Sequence, residues 1–187
     1  MLKIDIISCL EDNYTYLIQD QNTNSIGVVD PSAFNPVDRI IKKKYGKLDY
    51  ILNTHHHSDH VGGNNELKKK YKCKIVGSKI DKERIPGIDV YVDEKNNFMF
   101  GKIIFKIICV PGHTNGHISF YSKEENVIFT GDTLFSLGCG RLFEGTYKEM
   151  FHSLNKIKKL SKKTKIYCGH EYTKKNLEFC LNYEKQN

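Results

Sequence analysis

The sequence predicts a mixed α/β fold: two packed β-sheets with helices on their outer faces. Three observations predict it. About nine β-rich runs are present, more than one small sheet covered by four helices would comfortably use. The early strands cluster, whereas later strands alternate with helices. The chain has 187 residues and is 39% hydrophobic, enough for one domain with a substantial core.

In chain order, period-two or continuous apolar runs place strands at 2–8, 14–19 and 26–30, and a helical pattern follows at 36–45. A strand at 48–53 leads to a helix at 63–71, then a strand at 73–77. The longest apolar run, 102–110, is broken by Lys106 and reads as a strand. It falls far short of the roughly 18 residues that span a bilayer. Strands at 117–122 and 126–130 come next. The helix at 147–160 has the clearest pattern, with Met150, Phe151, Leu154, Ile157 and Leu160 on one face and lysines opposite. Thr146 or Gly145 opens it, and Glu149 follows Thr146 at capping-box spacing. A strand at 164–168 and a helix at 173–183 complete the pattern. Gly-rich or polar joints lie at 111–117, 131–146 and 169–171.

The formal net charge is +7, and lysine carries most of the positive charge; the arginines are Arg39, Arg84 and Arg141. The lysines sit in short scattered runs, which read as a solvated surface and not as a nucleic-acid module. The amino terminus enters strand pattern directly, without the features of a secretory signal. A cytoplasmic monomer that binds neither nucleic acid nor membrane is expected. Cys9, Cys73, Cys109, Cys139, Cys168 and Cys180 form no C-x-x-C pair, which argues against a zinc ribbon or a thioredoxin-type motif. Reduced thiols acting as small hydrophobes fit Cys9, Cys73, Cys109 and Cys168, and Cys139 reads as a small residue in a tight loop.

Chemistry concentrates in the histidines. Thr54-His55-His56-His57-Ser58-Asp59-His60 follows the strand at 48–53 and precedes Gly62-Gly63. Burying such a run without partners would be costly, and strand ends are where α/β scaffolds display chemistry. His55 and His57, two apart in extended backbone, can point the same way and share one metal ion. Asp59 and His60 come after the chain turns and can reach a second ion. His113 follows the strand at 102–110, Asp132 the strand at 126–130, and His170 the strand at 164–168. Five histidines and two aspartates then give each of two ions four ligands, provided Asp132 bridges. Imidazole and carboxylate suit zinc, and also iron or manganese. His56 points away from the ions, and His117 is a structural or outer partner. Ser58 and Ser119 have no base to complete a nucleophilic triad. Tyr172 and the isolated Arg141 are candidates for substrate contact, with core packing and a structural salt bridge as the respective alternatives.

These motifs, in this order, resemble the metallo-β-lactamase superfamily and, within it, the glyoxalase II (hydroxyacylglutathione hydrolase) family. The narrower resemblance rests on Glu11-Asp12-Asn13-Tyr14, Val29-Asp30-Pro31, Thr54–Asn64, Gly131–Phe135, Gly138–Thr146, Cys168–Thr173 and Asn176-Leu177. It implies an αββα sandwich with two metal ions that hydrolyses S-(2-hydroxyacyl)glutathione, such as S-lactoylglutathione, to glutathione and a hydroxy acid in methylglyoxal detoxification. It places His55, His57 and His113 on the first ion and Asp59, His60 and His170 on the second, with Asp132 bridging and Asp59 also orienting the attacking hydroxide. It turns Arg141 and Tyr172 toward glutathione. Phe143 occupies a position where some members carry tyrosine, so one hydroxyl contact is missing. Members usually continue beyond the equivalent of Asn187 into a helical segment that grips glutathione. Accordingly 1–170 is expected to be the catalytic domain and 171–187 a remnant of that segment. Two rival readings accompany this one. One is an iron-dependent persulfide dioxygenase using His55, His113 and Asp132; the other is a truncated metal-binding domain with impaired substrate binding.

Overall fold

Alternation along the strands decides how the layers form. The protein, seen as a computed structural model, is described over residues 1–184. The first sheet runs in the order β1 (Leu2–Cys9), β2 (Asn13–Asp20), β3 (Ser25–Val29), β4 (Tyr50–Leu52), β5 (Lys74–Ser78) and β6 (Val90–Val92). Its first three strands pair antiparallel, and β3 to β6 pair parallel. Parallel neighbours need crossovers. α1 (Phe34–Lys44) supplies the one between β3 and β4, and α2 (Ser58–Val61) with α3 (Asn64–Tyr71) supplies the next. The second sheet comprises β7 (Phe98–Phe100), β8 (Ile103–Cys109), β9 (Ile118–Ser122), β10 (Val127–Gly131) and β11 (Lys165–Cys168), in the order β11-β10-β9-β8-β7. α4 (Tyr147–Lys158) precedes β11 and α5 (Thr173–Glu184) follows it.

Successive residues of β2 serve different layers. Tyr16 and Ile18 point into the space between the sheets, where they meet Phe100, Phe105, Phe120 and Phe129. Leu17 points outward, into a second cluster with Val37 and Ile41 of α1 and Leu67 of α3. On the far side Ile157 and Leu160 cover Ile108, Tyr121 and Ile128 of the second sheet. The result is the expected four layers, helix–sheet–sheet–helix.

Two short strands, β6 and β7, were not expected. Three residues give too little alternation to register, although Phe98 and Phe100 are buried while Met99 between them is 51% exposed. The α4 capping box forms, with the Thr146 hydroxyl accepting from the Glu149 N–H. The expected apolar face of α4 needs correction at Phe151, which is 65% exposed. Ser153 is buried in that helix instead, its hydroxyl donating to the Pro111 carbonyl at 2.7 Å. All six cysteines are free; Cys9 and Cys73 are buried, Cys109 and Cys168 only partly so. α5 fully buries none of its residues and is tied to the 131–146 loop by Asn176 Nδ2 donating to the Ser136 carbonyl at 2.8 Å. Residues 185–187 of the expected 171–187 segment lie outside the described residues. No described helix is long and apolar enough to cross a membrane.

Asp38 links α1 to α3. Its carboxylate accepts from Lys70 and from the Tyr71 hydroxyl, and pairs with Lys42 at 3.0 Å. Burial opposes its charge, but Lys70, Tyr71 and Lys42 outweigh burial and bring its pKa down to about 2. A carboxyl with a depressed folded pKa stabilises above its unfolded value and loses that contribution as pH falls through the folded one. Asp38→Asn is therefore expected to cost about 1–3 kcal/mol in urea unfolding at pH 7. That deficit should shrink from about pH 4 downward and close near pH 2.

Candidate metal centre

The histidine-rich loop leaves β4 at the carboxyl end of the parallel strands, and Ser58 then starts α2. His55 lies in the bend at 54–55 that follows β4, a departure from the extended backbone expected there, and His57 caps α2 with φ −59 and ψ 144, whereas Asp59 and His60 lie on the first turn of the helix. The other three residues arrive from the second sheet: His113 after β8, Asp132 after β10 and His170 after β11. Gly169 lets the last of these loops approach. A Cβ there would lie 2.3 Å from Asp132 Oδ1.

The structure brings all seven together in two sets of three joined by one carboxylate. The ligand atoms of His55, His57 and His113 lie within 4.8 Å of one another, and so do those of Asp59, His60 and His170. His57 Nδ1 is 3.0 Å from His113 Nε2. His170 Nε2 is 3.3 Å from both His60 Nε2 and Asp59 Oδ2. Asp132 reaches both sets: Oδ1 is 3.3 Å from His60 Nε2, while Oδ2 is 3.4 Å from His113 Nε2 and from His170 Nε2.

The groups behind these side chains fix which nitrogen faces inward. His60 Nδ1 lies 3.1 Å from Asp30, and His170 Nδ1 lies 2.8 Å from Asp12. A carboxylate can only accept, so both rings donate from Nδ1 and turn the Nε2 lone pair inward. His113 does the same through the Arg141 carbonyl at 2.7 Å, and His55 Nδ1 lies 3.1 Å from the Thr54 hydroxyl. Asp59 is held by Asn13 Nδ2 at 2.9 Å. His117 stacks on His55 at 4.6 Å and accepts from the Asp132 N–H, so it holds its neighbours in place. His56 turns away, as expected, with Nδ1 3.2 Å from Asp81.

Electrostatically the two sets differ. Burial pushes the pKa of His55 far down and those of His57 and His113 down as well, and takes His117 to about 3. Burial acts the same way on His60 and His170, but carboxylates outweigh it. Asp132 and Asp30 hold His60 well above the usual value, while Asp132, Asp59 and Asp12 push His170 up to about 10. Burial opposes the charges of Asp59 and Asp132, and the neighbouring histidines overcome it, keeping both well below the ordinary carboxylate range. The second set thus draws positive charge. Two buried atoms pointing into the centre, His55 Nε2 and Asp132 Oδ1, make no hydrogen bond. Converging ring nitrogens, two buried orphaned atoms and a surplus of carboxylates suit divalent cations, which would take the place of the extra protons on His60 and His170.

The centre opens into a cavity of about 690 Å³, lined among others by Arg141, Phe143, Tyr172, Lys175 and Asn176. Phe143 packs edge-on against the rings of His57 and His113. Tyr172 stacks on His170 with ring centroids 4.9 Å apart. The Arg141 guanidinium lies 5.9 Å from the Phe143 ring centroid, and no carboxylate pairs with it among the described residues, so the structural salt bridge is absent. Ser119 is buried with its hydroxyl unpartnered, and no triad forms around it.

Asp12, Asn13 and Asp30 fall in segments that carry the family resemblance, but the sequence assigns them no role, and it does not point to Lys175. Asp30 carried a usable signal: it directly follows an apolar strand, much as Asp132 follows β10. The others depend on long-range approach that no local pattern encodes.

Residues 11–170 match the Metallo-beta-lactamase superfamily. A hydroxyacylglutathione hydrolase of Pelagibacter ubique is 55% identical over 186 residues, covering 100% of this chain and 78% of the relative. One from Methylococcus capsulatus is 44% identical, covering 100% of this chain and 73% of the relative. Among solved structures, TTHA1623 in a di-iron-bound form aligns with a TM-score of 0.74 at 25% identity, over 90% of this chain and 92% of that one.

Proposed function

The chain belongs to the metallo-beta-lactamase superfamily, among its hydroxyacylglutathione hydrolases, and from that premise we propose a metal-dependent hydrolase of glutathione thioesters such as S-lactoylglutathione. The observation that carries the reading is the pair of three-residue sets joined by Asp132 at the floor of an open cavity. His55, His57 and His113 would hold one divalent ion, Asp59, His60 and His170 the other, with Asp132 shared. Bound ions of this kind lower the pKa of water from 15.7 toward about 7 and polarise an acyl carbonyl. Zinc is the metal favoured by the donor set, with iron and manganese also accommodated; a di-iron form is described for one structural neighbour.

The chain's own residues do the rest. Asp59, anchored by Asn13, presents its carboxylate beside His60 and His170, where it can orient an attacking water toward the thioester carbonyl. Phe143 and Tyr172 wall the cavity beside the two sets, Phe143 against His57 and His113 and Tyr172 against His170. The departing thiolate has a pKa near 8.5 and needs little help from a proton donor. Arg141 and Lys175 place positive charge at the rim, suited to the carboxylates of glutathione. The free cysteines fit a reducing compartment, which supports a cytoplasmic setting within methylglyoxal detoxification.

Convergence of Asp59, His60 and His170 supports two ions over the one-iron dioxygenase alternative. The test is release of free thiol from S-lactoylglutathione by metal-loaded protein, with oxygen monitored. Turnover without oxygen consumption supports the reading. Absence of turnover with two ions bound would favour the impaired-domain alternative. Arg141→Met is expected to raise KM by about 10- to 100-fold with kcat largely kept, because a charge-assisted contact to substrate is lost while the backbone carbonyl that holds His113 remains.

A further inference from the structure

We propose that Asp81, Arg84 and Glu144 form a positioning network for the first metal set, acting through His56, and that they do not serve the second. The inference rests on the two-ion reading above. Asp81 ends the 3-10 turn Lys79–Asp81 after β5 and is fully buried. One of its oxygens lies 3.2 Å from His56 Nδ1, and the other accepts from Arg84. The second guanidinium nitrogen of Arg84 donates to Glu144 Oε1, which is also 3.7 Å from His56 Nε2. The remaining Glu144 oxygen accepts the Asn115 N–H at 2.7 Å.

Three loops therefore meet at one cluster. His56 sits between His55 and His57. Asn115 lies two residues from His113. Glu144 closes the loop that carries Arg141 and Phe143. The second loop is seated directly on Asp81: a Cβ at Gly116 would fall 2.0 Å from its carboxylate. No member of the network reaches into the centre, so its influence passes through the backbone of the loops. The second set has separate supports, Asp30 behind His60, Asp12 behind His170 and Asn13 behind Asp59. The Arg84–Glu144 pair is partly exposed, with side chains 35% and 26% accessible, and such pairs contribute little to global stability, whereas Arg84 also pairs with the fully buried Asp81, which is why a destabilised control accompanies the test below. Their consequence is local geometry.

The test uses the whole metal-saturated chain titrated with EDTA, counting ions per chain by elemental analysis. Arg84→Met and Glu144→Gln are compared with wild type and with Asp38→Asn, expected to destabilise the fold through Lys70, Tyr71 and Lys42 and not through any of the seven candidate ligands. In both network variants one ion is expected to leave at about 10- to 100-fold lower chelator while the other is retained as in wild type. Anomalous scattering from partly stripped crystals should place the retained ion among Asp59, His60 and His170. The double variant should be no worse than the more affected single one, as for members of one network. Unchanged release of both ions, an equal shift of both, or loss from the second set would overturn the proposal. Wild type that saturates below two ions would instead overturn the two-ion reading itself.

Discussion

Asp132→Ala is expected to lower thioester hydrolysis by more than about 100-fold and to leave at most one firmly held ion per chain. Removing a partner one bond behind a metal ligand already costs about 10- to 100-fold. Asp132 stands in front of both sets and is the side chain whose oxygens approach His60, His113 and His170 together. Its backbone is clamped, with its N–H on His117 Nε2 at 3.1 Å and its carbonyl accepting from Gly140 at 2.9 Å. Asp132→Asn keeps the volume but not the charge, and should fail almost as completely. Elemental analysis and the thiol-release assay check both variants. Near-normal activity in either, with unfolding temperature preserved, would contradict the shared-ligand role.

The second large effect is expected at Asp30. This buried carboxylate accepts the Thr54 N–H at 2.8 Å and the Thr54 hydroxyl at 2.6 Å, and it faces His60 Nδ1 at 3.1 Å. Asp30→Ala strands the Thr54 N–H and His60 Nδ1 in the buried interior and removes the acceptor of the Thr54 hydroxyl. At about 1–3 kcal/mol for each unsatisfied buried donor, a loss of roughly 3 kcal/mol or more in chemical unfolding follows. The residue also has φ +47, where alanine is strained and asparagine is tolerated. Asp30→Asn should therefore recover much of the stability, since the Thr54 hydroxyl can rotate to accept. It should not recover metal binding. An amide facing His60 Nδ1 makes that nitrogen the acceptor and puts the proton on Nε2, on the metal side. The second ion should then bind about 10- to 100-fold more weakly, measured by competition with a chromophoric chelator.

Different parts of the molecule were legible to different degrees. Long strands such as β2 and β8, and the α4 capping box, announce themselves because local spacing and burial agree. β6 and β7 do not, because three residues complete barely one period and their pairing is set by neighbours distant in sequence. Phe151 fits the helical stripe of α4 yet is exposed, since periodicity marks a face without marking how far the sheet extends beneath it. The seven candidate ligands stood out because histidine and aspartate at strand ends are costly without a task. Asp12 and Asp30 entered only within segments that carry the family resemblance, with no role attached, and Asp81 not at all. Single aspartates are common in turns, and their value here comes from reaching a histidine 158, 30 or 25 positions away. The substrate side was least legible, because Lys175 joins the cavity only through the placement of α5.

Anomalous diffraction at the absorption edge of the bound metal, on crystals of the saturated protein, addresses the centre directly. Two peaks are predicted, one among His55, His57 and His113 and one among Asp59, His60 and His170, with Asp132 between them. A single peak, or scattering remote from these side chains, would contradict the account.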